Sequence, residues 1–378
     1  MNTIRILYSV TYYVPHLSGL TLGLLPLIQA MVARKHEARV VTAKHRADLS
    51  TSETLYGVHI LRVKLLARIG KGPVMPTFAL HVWKEAKDVE LLHLWLPQFD
   101  AGPAALAAWL RGRPIIITYV CSMTGHDLTG KIATLFCGFS HLVAGLLADR
   151  IVANTKDYAS QSRFCRLFRR KLCFIDLPTP NWPDQITPYS KPEEPYRIGF
   201  VGRISPEKSI DDLIEAMTIL QQQGGPEFRL DLVGPIEPSM QPKVHAWECD
   251  GICFKGKVSD AELDDFYRCI DVLVLPSNNR IEAFGLVQVE AMTRGTPCVA
   301  ADRPGMRQPV LRTGFGQLFE PGNPVSLAEA IRDLLSDGPP KIPASRELND
   351  AFGARAIMDK YEDLYADIIG GGRKKRSV

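Results

Sequence analysis

The sequence predicts an α/β protein of two domains, each a parallel sheet covered by helices on both faces. Three observations carry this. At 378 residues the chain exceeds one typical domain. Short β-type runs alternate with helical stretches along both halves, as parallel sheets require. Between the halves, Leu177 to Pro195 holds six prolines in nineteen residues, and the alternation restarts directly after it.

The elements follow in order. Ile4 to Val10 is a first strand rather than a charged-then-apolar leader. Val14 to Thr21 reads as a loop and Leu22 to Arg34 as a helix. Strands are expected at Ala38–Ala43, His59–Val63, Leu91–Trp95, Pro114–Val120, Arg150–Ala153 and Lys171–Ile175. Helices are expected at Thr77–Lys87, Gly102–Arg111 and Lys131–Leu147. Ser140 and His141 interrupt the apolar run of the last of these, which leaves it too short and mixed for a membrane span. After the prolines come strand Tyr196–Arg203, helix Ile210–Gln222 and strands Phe228–Gly234 and Ile252–Gly256. Helix Asp260–Cys269, strand Val272–Leu275, helix Leu286–Arg294 and strand Pro297–Ala300 follow. Helix Val325–Leu335 closes the second set. A last amphipathic helix, Phe352–Ile369, places Ile357, Tyr361, Leu364, Tyr365 and Ile368 at helical spacing. The expected division is 1–185, 186–345, and 346–378 as a helix packing back toward the N-terminal domain plus a basic tail.

Composition excludes little. The chain is 46% hydrophobic and 23% charged, ordinary for a soluble globular protein. A net charge of +4 does not by itself suggest nucleic acid. Eight cysteines lack zinc spacing, which predicts thiols in a reducing compartment and no metal site.

Two constellations in the second half carry candidate chemistry. In Gly202 to Lys208, Gly202 lets the chain turn at a strand end. Arg203 offers a planar fork, and Lys208 a point charge, to phosphate oxygens. The alternative is a βα loop with two solvated cations. The second is a strand–loop–helix–strand unit from Val272 to Ala300, with Glu282 in the loop and Glu290 in the helix. Amides at Phe284, Gly285 and Leu286 open that helix and can meet an anion. Gly285 removes a side chain where a phosphate needs to come close. Glu282 can accept from hydroxyls, and Glu290, flanked by Val289 and Ala291, is costly unless paired or facing a ligand. The alternative is one exposed Glu and one at a favourable helix terminus. Two carboxylates and two cations at strand carboxyl ends suit a ligand with hydroxyls and a diphosphate, which describes a nucleotide sugar.

These residues resemble a known family. VGR-x4-K, EAFG-x4-E-A-M-x2-G-x-P-x-V-A and GKVSDAEL are similar to the retaining GT-B glycosyltransferases of family 4 (glycosyl transferases group 1). Pro15 to Gly19, Leu91 to Pro97 and Ala148 to Thr155 extend the resemblance to the first half. It implies two Rossmann-like domains facing across a cleft, the C-terminal one holding the nucleotide sugar and the N-terminal one the acceptor, with no obligatory metal and no cofactor. Carried over, Arg203 and Lys208 hold the diphosphate together with the amides of Phe284, Gly285 and Leu286. Glu290 binds the ribose and Glu282 the transferred sugar. Gly202, Gly256 and Val258 line the nucleotide, and Gly19 lets the first loop approach it. Where many relatives carry a His followed two residues later by an acidic residue, this chain has Val120 and Ser122; His126 and Asp127 are the nearby substitutes. Leu20 after Gly19 is a second departure.

Arg163 to Lys171 packs five cations into nine residues with Phe164, Leu167 and Phe168 between them. It reads either as a solvated helix or as a surface for anionic lipid. The tail GGGRKKRSV could add to that attraction. The expected function is a retaining, metal-independent hexosyl- or N-acetylhexosaminyl-transferase acting on a glycan or lipid-linked acceptor. It is expected in the cytoplasm or on the cytoplasmic face of a membrane, without nucleic acid. The alternatives are an epimerase or hydrolase of nucleotide sugars on the same fold, or a catalytically weak binding subunit.

Overall fold

In the computed structural model, residues 3–16, 18–69, 72–123, 128–178, 194–337 and 345–374 are described. The chain divides into two compact units, Met1–Pro180 with Phe352–Val378, and Asn181–Ala351. Most of the proline-rich stretch, 179–193, lies outside the described residues.

The first unit runs β1 (Arg5–Ser9), α1 (Gly19–Ala33), β2 (Glu37–Lys44), β3 (Ser52–Leu55), β4 (Val58–Lys64), β5 (Ala67–Ile69) and β6 (Gly72–Val74). It continues α2 (Phe78–Glu85), β7 (Leu91–Leu96), α3 (Ala101–Leu110), β8 (Ile115–Tyr119), α4 (Leu128–Leu147), β9 (Arg150–Ala153), α5 (Lys156–Gln161), α6 (Arg163–Leu167) and β10 (Leu172–Phe174). Its main sheet has the order β10-β9-β8-β7-β1-β2-β4-β3. Only the β3–β4 pair in it is antiparallel. The central strands LLHLWL and IIITY are buried at every residue, as strands covered on both faces must be.

Three expectations change here. Helix α1 begins at Gly19, not Leu22, because the Ser18 hydroxyl caps it by accepting from the Thr21 amide at 3.4 Å. The β3–β4 hairpin was not expected. Tyr56 and Gly57, both at positive φ, form its two-residue turn. The β5–β6 hairpin was not expected either.

The second unit runs β11 (Tyr196–Val201), α7 (Ile210–Gln222), β12 (Phe228–Val233), α8 (Gln241–Trp247), β13 (Ile252–Gly256), α9 (Asp260–Cys269) and β14 (Val272–Leu275). It continues α10 (Leu286–Met292), β15 (Cys298–Ala301), α11 (Gln308–Thr313), β16 (Gly316–Phe319), α12 (Pro324–Asp337) and α13 (Ser345–Phe352). Its sheet is wholly parallel, order β13-β12-β11-β14-β15-β16. The order reverses between β11 and β14, and ligands of open α/β sheets bind at the carboxyl ends of such a pair.

The last helix, α14 (Ala354–Lys374), belongs to the first unit. Tyr361 and Tyr365 are fully buried on it. His93 on β7 bridges the Tyr365 hydroxyl at 2.8 Å and the Thr118 hydroxyl at 2.7 Å, and Thr118 meets the Tyr361 hydroxyl at 3.1 Å. Burial pushes the His93 imidazole down to about 3, so it bonds as a neutral ring. At the other edge Glu362 takes His36 at 2.6 Å and also Arg34, which reaches Asp359 at 2.7 Å.

Candidate active site

The loop after β11 and the loop after β14 are stitched together in the second unit. Lys208 Nζ pairs with the Glu282 carboxylate. Asn279 Nδ2 donates to the Glu207 carbonyl, and the Asn278 amide donates to Ser209 Oγ at 3.1 Å. Asn279 Oδ1 accepts from the Ile281 amide at 2.7 Å, which shapes the turn carrying Glu282. Lys208 and Glu282 are 74 residues apart in sequence; adjacency of β11 and β14 is what joins them. Arg203 stays outside this pair. Its side chain is half exposed and its nearest carboxylate is Glu207 at 4.0 Å.

Glycines form the rim. Gly202, Gly234 and Gly256, all at positive φ, close the carboxyl ends of β11, β12 and β13. The Gly202 amide donates to the Val233 carbonyl at 2.9 Å and the Gly234 amide to the Gly256 carbonyl at 2.8 Å. Gly256 therefore stands on the same sheet edge as Gly202, and Val258 follows it in the loop after β13. Gly285, at φ +77°, is the N-cap of α10; a Cβ there would fall 2.6 Å from Leu275 and 2.5 Å from Gln288. Phe284 is buried beside it, and Leu286 begins the helix.

Glu290 lies one turn into α10, where Tyr267 Oη donates to its carboxylate at 2.7 Å. Burial pushes the Glu290 carboxyl up, against the Tyr267 hydrogen bond and the Arg294 charge that pull it down. Arg294 lies over the Tyr267 ring at 5.8 Å, donates to Asp264 at 2.8 Å and to the Glu290 carbonyl at 3.2 Å. Tyr267, Arg294 and Asp264 were not foreseen. The one sequence signal was that α9, just upstream, carries Asp264 and Tyr267 three residues apart, on one helical face. Among the described residues no group of three or more His, Cys, Asp or Glu could hold a metal.

In the first unit, Gly19 opens α1, and a Cβ there would meet nothing within 4 Å. His126 and Asp127 lie outside the described residues. Val120 is buried at the end of β8, its carbonyl taken by Asn154 Nδ2 at 3.3 Å. Ser122 is held by the Tyr119 and Tyr158 hydroxyls, at 2.9 Å from Oγ and 2.8 Å from the amide.

Asp100, at the start of α3, has a buried Oδ2 with no partner among the described residues. Burial pushes its carboxyl up from 3.8 to about 7. The folded state thus holds this proton more tightly than the unfolded chain, and the associated stability is lost as pH rises through about 7. Three pKa steps correspond to about 4 kcal/mol, and partial exposure reduces this to roughly 1–2 kcal/mol. Asp100→Asn is therefore expected to exceed wild type in stability by roughly that amount near pH 8, and by less near pH 5. Urea denaturation at both pH values checks it; an equal difference at both contradicts it.

Two Rossmann-like units, the second with cations and carboxylates at its switch point, define the GT-B class of fold. Solved structures agree. Sucrose-phosphate synthase from Thermosynechococcus elongatus superposes with a TM-score of 0.74 at 19% identity, over 97% of this chain and 100% of that one. Anabaena Alr3699/HepE in complex with UDP does so with a TM-score of 0.71 at 17% identity, over 96% and 100%. The profile of glycosyl transferases group 1 matches residues 183–357, and that of the glycosyl transferase 4-like domain residues 18–177. D-inositol 3-phosphate glycosyltransferase 1 of Catenulispora acidiphila is 30% identical over 320 residues, 76% of this chain and 73% of that protein. The D-inositol 3-phosphate glycosyltransferase of Streptomyces avermitilis is 33% identical over 234 residues, 55% of this chain. The chain spans about half the length of that curated relative, 48%. The chain belongs to the glycosyl transferases group 1 family.

Proposed function

We propose that this protein is a retaining glycosyltransferase that moves a hexosyl or N-acetylhexosaminyl group from a nucleotide-diphosphate sugar to a glycan or lipid-linked acceptor. The observation that carries this is the meeting of Lys208 with Glu282 at the switch point of a sheet whose next helix presents Glu290. Lys208 and Arg203 face the diphosphate with the amides of Phe284, Gly285 and Leu286. Glu282, already turned toward Lys208, takes hydroxyls of the transferred sugar. Glu290, aimed by Tyr267, takes the ribose hydroxyls. The glycine rim and Val258 let the base lie against backbone.

As the bond between the sugar carbon and the diphosphate breaks, charge grows on the leaving phosphate. Fixed cations stabilise it there without a metal. The acceptor oxygen bonds to the same face of the sugar carbon, and its proton passes to a phosphate oxygen. No carboxylate then has to act as nucleophile, unlike in a retaining glycosidase. The test is a panel of UDP, GDP and ADP sugars with acceptor, in EDTA, with the product anomer read by NMR. The Anabaena neighbour is described in complex with UDP-glucose, so uridine donors come first. Acceptor-dependent turnover with retained configuration supports the reading. An inverted product, full dependence on metal, or nucleotide release regardless of acceptor contradicts it.

The site of action we propose is the cytoplasmic face of a membrane. Gly130–Leu147 is apolar and long enough to cross a bilayer by length and composition alone. Yet Ser140 and His141 on it are buried, and Gly102 of α3 packs on Ser140. The opposite face shows Leu135, Phe136, Phe139 and Leu146, each 62–75% exposed. Phe168 packs on Gly145, and Lys171 caps the carbonyls of Gly145, Leu146 and Ala148. That contact sets exposed Arg163, Arg166, Arg169 and Arg170 beside the end of α4. An apolar ridge flanked by cations suits an anionic bilayer surface, each cation adding about 1 kcal/mol. Phe136→Ser with Phe139→Ser is expected to abolish sedimentation with phosphatidylserine vesicles. Undiminished sedimentation rules this face out.

A further inference from the structure

The loop between β14 and α10 carries Glu282, and it is placed from outside on both flanks. Ser277 Oγ, at its start, is buried and has no hydrogen bond among the described residues. On one flank the loop after β11 holds it. There Ser209 Oγ accepts from the Asn278 amide at 3.1 Å, and the Glu207 carbonyl accepts from Asn279 Nδ2. On the other flank the tie is Arg303, just past the end of β15. Arg303 Nη2 donates to the Asn278 carbonyl at 3.1 Å and also to Asn278 Oδ1. Strands β11, β14 and β15 are successive neighbours in the sheet, so the three loops leave its carboxyl edge side by side.

Arg303 serves poorly as a purely structural tie. It is half-buried, its Nε is buried without a hydrogen bond, and among the described residues no carboxylate pairs with it. A half-buried cation without a counter-charge costs stability. What the charge adds is a stronger hold, because hydrogen bonds from a charged donor exceed neutral ones. Asn278 is the residue so held. Its amide meets Ser209, which follows Lys208, and the next residue, Asn279, shapes the turn that carries Glu282. Both members of the Lys208–Glu282 pair are therefore fixed by Asn278 at one remove.

We infer that Arg303 is a positioning residue for the transfer: by fixing Asn278 it holds Lys208 and Glu282 where the reaction uses them. A displacement of about 1 Å at reacting groups can cost about 10²-fold in rate, so a tie one loop away matters without touching substrate. The inference rests on the proposed function for the reaction that Arg303 serves, but not for the placement of the loop.

The test uses the full chain with Arg303→Ala, Arg303→Lys and Asn278→Ala. Amide hydrogen exchange is read first, without donor. Arg303→Ala is expected to speed exchange of the Asn278 and Ile281 amides by about tenfold or more, with β14 and the melting temperature unchanged. Steady-state kinetics with the donor and acceptor found by the panel form the second arm. Arg303→Ala is expected to lower kcat about tenfold and to leave the donor KM within about twofold, since Glu290 is untouched. Arg303→Lys keeps a charged donor and is expected within about threefold of wild type. Arg303→Ala with Asn278→Ala is expected to lose no more than Arg303→Ala alone, because the two residues act in series. Unchanged loop exchange, wild-type kcat in Arg303→Ala, a loss seen only in KM, or losses that multiply in the double variant overturns the inference. If Arg303→Ala does not fold, Asn278→Ala decides by the same two readouts. The exchange arm needs no turnover, so failure of the transferase reading leaves it readable.

Discussion

Glu290→Ala and Lys208→Ala are each expected to lower kcat/KM for the nucleotide sugar by about a hundredfold or more. Loss of a charged hydrogen-bonding group from a desolvated site costs about 3–4 kcal/mol, a factor of about 150 or more. The two should differ in kind. On the proposed assignment Glu290 holds a part of the donor that does not change during the reaction, so its loss is expected to raise KM most. On the same assignment Lys208 meets charge that grows in the transition state, so its loss is expected to lower kcat most. Glu290→Ala also leaves the Tyr267 hydroxyl without the acceptor it holds at 2.7 Å. Tyr267→Phe, which only releases the Glu290 carboxylate, is expected to cost about tenfold. Steady-state kinetics with the donor identified by the panel check these values. Variants within a few-fold of wild type would remove Glu290 and Lys208 from the donor site.

Removal of α14 is expected to unfold the first unit, although the helix is the last element of the chain. Tyr361 and Tyr365 are fully buried, and deleting them strips the partners of His93 and Thr118. Tyr365→Ala alone is expected to cost about 3–5 kcal/mol, as for other large buried aromatics. Tyr365→Phe keeps the ring and removes the hydroxyl, leaving a His93 nitrogen unpartnered for about 1–3 kcal/mol. The same network sets an acid limit. The folded pKa of His93, about 3, lies below its ordinary 6.5. Stability from keeping it neutral is complete above about pH 6.5 and falls as pH drops toward 3, by up to about 5 kcal/mol. Urea denaturation of wild type and Tyr365→Phe near pH 7 and near pH 4.5 reads both effects. A melting curve unchanged by truncation at Gly353 would contradict the role given to α14.

Much of the second unit was legible because its local signals agree. Ser259 and Glu262 form a capping box, and α9 begins where that box places it. VLVL between polar neighbours marks β14. The antiparallel edge strand β3 escaped notice because SETL carries one apolar residue and makes no alternation. Lys208 and Glu282 could be named as site residues, but their pairing follows from strand order, which periodicity does not reveal. The Tyr267–Glu290–Arg294 arrangement was hidden for the same reason: it joins α9 to α10 through packing. In the first unit, the adjacency of β2 and β4, which sets Lys44 beside Lys64, was hidden too: both strands were legible, their order was not.

The most direct measurement is calorimetric or thermal-shift titration of UDP, GDP and ADP sugars, in EDTA, into wild type, Glu290→Ala and Lys208→Ala. A donor site built from these residues predicts saturable binding of at least one nucleotide sugar to wild type, with a raised melting temperature, its loss in Glu290→Ala and a smaller weakening in Lys208→Ala. No binding by wild type, or undiminished binding in both variants, contradicts it.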